Sequence, residues 1–264
     1  MTTADLGVIG GSGLYALLDD VEEVRVSTPY GDPSAPLVVG EVAGRSVAFL
    51  PRHGRDHELP PHKIPYRANL WALRSVGVRQ VLSPCAVGGL QADLGPGALV
   101  VPDQLVDRTS GRVQTFHDTG AVHVPFADPY CPTGRAAAVA AASGWPAVDG
   151  GTMVVVEGPR FSTRAESQWY SRQGWSVINM TGFPEAVLAR ELALCYTSVA
   201  LVTDLDAGVD SGSHVTQEEV FRVFGANTAR LRTTLFDVLA ALPVERTCPC
   251  PHALDGIDHD LVLP

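Results

Sequence analysis

The sequence predicts an α/β fold: one domain of 264 residues with a central mixed β-sheet flanked by helices. Three observations carry this. Short β-branched runs alternate with helical patterns, the signature of a sheet covered by helices. Several of the runs are apolar at every position, as strands buried on both faces must be. Two early runs are joined by Ala43-Gly44, which reads as a hairpin turn and makes the sheet mixed.

The strands are expected at Leu6–Ile9, Leu37–Glu41, Arg45–Leu50, Gln80–Val87, Ala98–Val101, Thr152–Val156, Ser176–Met180 and Thr197–Thr203. Helical periodicity fills the gaps at Arg67–Val76, the Ala-rich Gly134–Ala142, Thr163–Gln173, Pro184–Leu194 and Thr216–Leu242. Ser162/Thr163 with Glu166 resembles a capping box. Thr216 precedes Gln217-Glu218-Glu219, a first turn whose acids suit the positive end of a helix. After Pro243 the composition shifts to Cys, Pro, His and Asp, so residues 243–264 read as a C-terminal tail packed on the body or on a neighbour.

Composition bounds the function. The chain is 45% hydrophobic and 18% charged, enough apolar material for a sizeable core. Its formal charge is −10, and Lys63 is its one lysine. An acidic surface argues against nucleic-acid or anionic-membrane partners. An anionic ligand would need a local arrangement of Arg, His and backbone N–H groups. The start lacks a basic segment and no apolar run reaches bilayer length, so a soluble cytoplasmic protein is expected. The five cysteines show no framework spacing and read mostly as small buried hydrophobes.

Several loops carry candidate chemistry. Gly10-Gly11-Ser12-Gly13 follows the first strand, where turned N–H groups and a hydroxyl suit a phosphate. The same residues also fit a dinucleotide fingerprint, Gly11-x-Gly13-x-x-Ala16, or a plain structural turn. Arg52-His53-Gly54-Arg55-Asp56-His57 with His62-Lys63 is the dense basic cluster, read as an anion pocket over a solvated loop. Its histidines lack metal-ligand spacing, so no metal site is expected. Cys85-Ala86 places small residues at an expected strand end, where a backbone can approach a ligand. Phe161 in Glu157-Gly158-Pro159-Arg160-Phe161-Ser162 either stacks on a ring or is core, and residue type alone favours core. Asn179-Met180-Thr181 ends another strand. In Thr203-Asp204-Leu205-Asp206 the i, i+2 spacing puts two carboxylates on one face. Each raises the other's pKa, as a general acid needs, unless the pair is a capped, solvated turn. All these candidates fall at expected strand ends, where α/β sheets bind ligands.

Taken in order, Gly10-Gly11-Ser12-Gly13-Leu14, Pro51-Arg52-His53-Gly54-Arg55, Tyr66-Arg67-Ala68-Asn69, Glu157 to Ser162, Arg164-Ala165-Glu166, Asn179-Met180-Thr181, Pro184-Glu185 and Thr203-Asp204-x-Asp206 resemble the methylthioadenosine phosphorylases of the trimeric purine nucleoside phosphorylase family. The resemblance implies a partly barrel-like phosphorylase/hydrolase-like sheet. It also implies phosphorolysis of a 5′-modified purine nucleoside to free purine and a sugar 1-phosphate, with inorganic phosphate as co-substrate and no cofactor or metal. By motif, phosphate falls to Ser12, Arg52, His53, Cys85, Ala86 and Thr181. The base falls to Phe161 and Ser162, and the ribose to Met180. Asp204, beside Asp206, is the proton donor to the leaving purine. His123 resembles the position that reaches the 5′ pocket of an adjacent subunit in a homotrimer.

A carboxylate at 204 accepts from a 6-amino group, whereas family members for 6-oxopurines carry Asn there, so adenine is favoured over hypoxanthine or guanine. Gln217 departs from the family's apolar residue: either the 5′ pocket is more polar, or the helix register turns Gln217 away. The competing readings are a 6-oxopurine nucleoside phosphorylase, a nicotinamide-dependent oxidoreductase using the Gly10–Gly13 loop, and a non-catalytic nucleoside-binding protein. Cys248-Pro249-Cys250, with His252, Asp258 and His259 nearby, reads as a Pro-braced tail with free thiols rather than a metal site. Similar Cys-x-Cys tails in some family members leave a reversible disulfide open.

Overall fold

The computed structural model of the chain describes residues 3–10, 21–209 and 215–264. The phosphate-cradle candidate at Ser12 and most of its Gly-rich turn lie outside them. β1 (Leu6–Gly10) is buried throughout, and β2 (Glu22–Val24) is a short acidic edge strand. β3 (Leu37–Val42) and β4 (Arg45–Pro51) form the expected hairpin. Ala43 and Gly44 both take positive φ, as a two-residue turn that matches strand twist requires. There follow α1 (Tyr66–Ser75), β5 (Gln80–Gly89), β6 (Leu99–Val101), β7 (Gln104–Arg108), α2 (Pro132–Ala141), β8 (Ala147–Asp149) and β9 (Thr152–Val156). The chain continues through α3 (Arg164–Arg172), β10 (Val177–Asn179), α4 (Gly182–Glu191), β11 (Cys195–Leu205) and α5 (Gln217–Ala241).

Thr163 and Glu166 close a full capping box at α3, and the Thr216 hydroxyl accepts the N–H of Glu219 to start α5. α4 differs from expectation at both ends. It enters through Thr181 and a non-helical Phe183, and it stops at Leu192 because Ala193 turns left-handed. β2, β7 and β8 escape sequence reading because they are short and each carries charged residues, with no alternation long enough to register.

The sheet runs β2-β3-β4-β1-β5-β10-β9-β7, and it forks at β5. One edge of β5 pairs along its length with β11, which continues through β6 to β8. The other edge pairs in parallel with β1 through Leu82, then antiparallel with β10 from Gly88. Between Leu82 and Gly88 this edge of β5 has no strand partner among the described residues, so its backbone faces the gap where β1 and β10 part. Such divergence points are where α/β sheets bind ligands.

Helices cover both faces. α1 and α4 bury Leu70, Leu73, Ala186 and Leu192 in one core; α2 and α5 bury Ala138, Phe224, Leu231, Leu235 and Val238 in another. Each of the larger side chains contributes roughly 1.5–3 kcal/mol on burial. The tail packs on the body: Leu261 and Leu263 lie against the first core.

Candidate active site

A cavity of about 410 Å³ opens at the β5 fork. Arg52 and His53 enter it directly after β4, and Cys85 and Ala86 line it from β5. The sequence reading placed 85–86 at a strand end; they sit mid-strand, because β11 extends β5 to Gly89. Thr181, Met180, Phe161 and Ser162 come from the loops after β10 and β9, and Asp204, Asp206 and Gln217 from the end of β11 and the start of α5. His123 is exposed and does not line this cavity.

Arg52 is 1% exposed, and its charge is met at once. Nε donates to Glu185 at 2.6 Å; Nη2 donates to Glu185, the Ser83 hydroxyl and the Ile9 carbonyl. Tyr196 donates to Glu185 at 2.8 Å, closing a buried network beneath the cavity floor. Burial works against the guanidinium charge, but the attraction and hydrogen bonds of Glu185 outweigh it and hold Arg52 above its usual pKa. Nη1 donates to Pro84 O and keeps a second N–H, the part of the fork left for a ligand.

His53 is the opposite case. Burial drops its pKa to about 4, so the ring is neutral at pH 7. Its Nδ1 lies 2.8 Å from the Leu59 carbonyl, which can only accept, so Nδ1 carries the proton and Nε2 is an acceptor. His57 stacks on His53 with ring centroids 4.4 Å apart and meets Phe221 edge-on. Of the expected basic cluster, only Arg52, His53 and His57 line the cavity. Arg55 pairs with Glu23 on the outside, and His62 and Lys63 are exposed. Of that loop's cations, Arg55 and Lys63 stay at the surface and Arg52 alone enters the pocket.

Thr181 is the N-cap of α4, yet its hydroxyl makes no cap bond. The Asn179 carboxamide oxygen instead accepts the Thr181 and Gly182 N–H groups at 3.3 Å. The Thr181 O–H is thereby left to donate into the cavity. Cys85 is a packing residue: its thiol lies 3.6 Å from the Ser198 hydroxyl and burial pushes its pKa up.

The acid pair meets across Gly88. A register shift between Val202 and Asp204 skips Thr203 and re-aims the end of β11. A methyl at Gly88 would lie 3.3 Å from both Asp204 Oδ2 and Asp206 Cβ, so glycine is what lets both residues close over the strand. Burial, aided by Asp206, raises Asp204 to about 6, against a hydrogen bond of 2.7 Å donated by Thr203. Burial also raises Asp206, against contacts from Ser162, Ser167 and the Ala207 N–H, and its Oδ2 is buried without a partner among the described residues. An orphaned acceptor in a cavity awaits an N–H or O–H donor.

Phe161 corrects the residue-type reading: it is 38% exposed on the cavity wall rather than core. Gln217 opens α5 toward the cavity beside Val220 and Phe221, so the register does not turn it away. Sequence reasoning missed Arg112. Its guanidinium is nearly buried and donates to the carbonyls of Met180, Phe183 and Glu157, tying the β9 and β10 loops together. Its signal was faint: a lone Arg after Gly111 in a polar stretch.

An ion-paired arginine, a neutral histidine, a hydroxyl with its proton left to donate and two hard-to-ionise carboxyls meet around one fork. The chain belongs to the phosphorylase superfamily, which it matches over residues 5–241. Within it, the chain stands with the S-methyl-5′-thioadenosine and purine nucleoside phosphorylases and is a nucleoside phosphorylase, a pentosyltransferase. It is 66% identical to a purine nucleoside phosphorylase of Streptomyces coelicolor, over 99% of this chain and 98% of that one. It is 60% identical to an S-methyl-5′-thioadenosine phosphorylase of Mycolicibacterium smegmatis, over 98% and 99%. A crystal structure of methylthioadenosine phosphorylase from an antarctic soil metagenomic library superposes with a TM-score of 0.89 at 40% identity, covering 97% of this chain and 93% of that one. The Schistosoma mansoni methylthioadenosine phosphorylase in complex with adenine gives 0.88 at 36%, covering 92% and 93%. No helix among the described residues is long and apolar enough to cross a membrane.

Proposed function

We propose that the protein catalyses phosphorolysis of 5′-deoxy-5′-methylthioadenosine or a closely related 5′-modified adenosine, giving adenine and the 5-modified ribose 1-phosphate. The observation that carries this is the acid pair over Gly88, with Asp204 titrating near neutrality and Asp206 holding an unmet acceptor.

In this reading the C1′–N9 bond breaks as a phosphate oxygen closes on C1′, and the sugar passes through a cationic state. Asp204 gives its proton to N7 of the departing purine, and its other oxygen accepts from the 6-amino group. Phosphate is held by the Thr181 hydroxyl, the remaining Nη1–H of Arg52, the edge of β5 at Cys85 and Ala86 that has no strand partner among the described residues, and Ser12. A hydrogen phosphate can also donate its own O–H to Nε2 of His53. With Arg52 neutralised by Glu185 and His53 uncharged, the phosphate keeps its negative charge for the sugar cation instead of spending it on the protein. Phe161 and Ser162 flank the base, and Met180 lies under the ribose. The reaction as read needs no cofactor or metal. A cytoplasmic homotrimer belongs to the same reading, with the exposed His123 reaching a neighbouring subunit's 5′ pocket; light scattering checks its mass.

Four substrates decide it. With phosphate, methylthioadenosine and adenosine should release adenine while methylthioinosine and inosine turn over slowly, and without phosphate none should react. Fast inosine turnover with inert adenosines would overturn the assignment. Gln217 gives the 5′ pocket a polar wall, so Gln217→Leu should raise the methylthioadenosine-to-adenosine ratio of kcat/KM about tenfold.

A further inference from the structure

Four thiols meet at the far end of β11 from the acid pair. Cys131 is the N-cap of α2, Cys195 opens β11, and Cys248 and Cys250 come from the tail. All four are buried, and their Sγ atoms lie within 4.8 Å of one another, with Cys195 and Cys248 at 3.3 Å. Two disulfides would require only two short separations. Here every pair is close, as four ligands around one centre must be: a tetrahedral zinc tetrathiolate has Zn–S of about 2.3 Å and sulfur edges of about 3.8 Å.

The surroundings suit bound thiolates. The Gly134 N–H donates to Cys131 Sγ at 3.4 Å from the first turn of α2, where the helix favours negative charge. Arginines crowd this end. Arg246 donates to the carbonyls of Ala193 and Arg79, and the Arg79 carbonyl accepts the N–H of Cys195. Arg74 has Nε and Nη1 buried without partners, and burial with the charges of Arg79 and Arg246 lowers it to about 10. A zinc tetrathiolate, with a net charge of minus two, would lie at the same end of β11 as these arginines.

We propose that Cys131, Cys195, Cys248 and Cys250 form a structural zinc site that pins the C-terminal tail to α2 and β11. Binding exchanges thiol protons for one Zn²⁺ and forms four Zn–S bonds, with no electron transferred. The site is closed, with no position left for substrate, and it stands apart from the phosphorolysis cavity.

The full-length protein, expressed with zinc and purified without chelator or reductant, should carry one zinc per chain by elemental analysis. Its zinc absorption edge should report four sulfur neighbours at about 2.3 Å. All five cysteines should titrate as thiols once it is unfolded with chelator. Cys248→Ser with Cys250→Ser should abolish the zinc and lower the Tm while leaving kcat/KM intact at low temperature. Zinc well below one per chain, oxygen or nitrogen ligands at the edge, or two or four missing thiols in the wild type would each overturn the proposal. The last would identify disulfides in place of the metal.

Discussion

One strand, β11, carries two opposite kinds of buried chemistry. At its amino end Cys195 joins three other thiols between α2 and the tail; roughly 30 Å along, its carboxyl end presents Asp204 to the cavity. The amino end is closed to substrate: the thiols face one another, and carbonyls of the α4–β11 turn are capped by Arg246. The carboxyl end is left unfinished, with an unmet oxygen on Asp206, an uncapped hydroxyl on Thr181 and an acid that resists ionisation. The fold spends stability at the end where a ligand will complete the bonding. Substitutions should therefore affect activity at one end and stability at the other.

The largest test is Asp204→Asn. Removing a general acid lowers kcat/KM about 10²–10⁴-fold. A structural residue would also destabilise when replaced, but Asp204 should do the reverse. Its folded pKa is about 6, above the value for an unfolded chain, so the folded state keeps a proton that the unfolded state has lost. Stability falls as pH rises from about 4 to about 6, and the penalty is complete above that, up to about 3 kcal/mol at pH 7. Asparagine carries no such penalty and its Oδ1 can still accept from Thr203, so the variant should melt higher at pH 7 and gain nothing below pH 4. In the wild type, kcat/KM should fall as pH rises through about 6 as the proton is lost, and that limb should vanish in Asp204→Asn. A lower Tm for the variant at pH 7 would break the contrast between the two ends.

Next is the Arg52–Glu185 pair, where both properties should fail together. Arg52→Ala leaves a buried carboxylate with only Ser83 and Tyr196 as donors, a loss of about 3–5 kcal/mol in urea unfolding. Replacing both, Arg52→Met with Glu185→Leu, should recover most of that stability because no charge is left stranded. Phosphorolysis should stay lost in both. Activity returning with stability would mean that Arg52 only props the floor and does not touch phosphate.

The two ends also differ in how far the sequence exposes them. Asp204 and Asp206 are two residues apart on a strand, and Arg52-His53 are adjacent, so local pattern and family resemblance together find them. The interior strands and the caps at Thr163 and Thr216 are legible for the same reason, since periodicity and capping act within a few residues. The fork at β5 is not legible, because it depends on β1 and β10 sharing one edge of a distant strand. The pairing of Glu185 with Arg52, 133 residues away, and the role of Arg112, which reaches both the β9 and β10 loops, are invisible for that reason. So is the thiol cluster: the tail pair can be read, but Cys131 and Cys195 join it only through packing. Nor does residue type reveal that Arg55 and Lys63 face water while Arg52, in the same loop, is buried.

The smallest effect lies at the amino end. α4 closes with the Leu194 N–H on the Ala189 carbonyl and the Ala193 N–H on that of Arg190, and the left-handed position is filled by Ala193 at φ 51 rather than by glycine. An L-residue there costs roughly 1–2 kcal/mol, offset by the greater freedom glycine has when unfolded. Ala193→Gly should therefore stabilise the protein by about 0.5–1 kcal/mol in urea titration. Because the turn leads into β11 at its amino end, far from the cavity, kcat/KM should not move. An equally small relaxation at the carboxyl end, where Gly88 lets both acids close together, has no room to be neutral: there the conformation itself positions the proton donor. If Ala193→Gly altered the pH limb assigned to Asp204, β11 would be transmitting strain from end to end, and its two ends would have to be treated as one coupled unit.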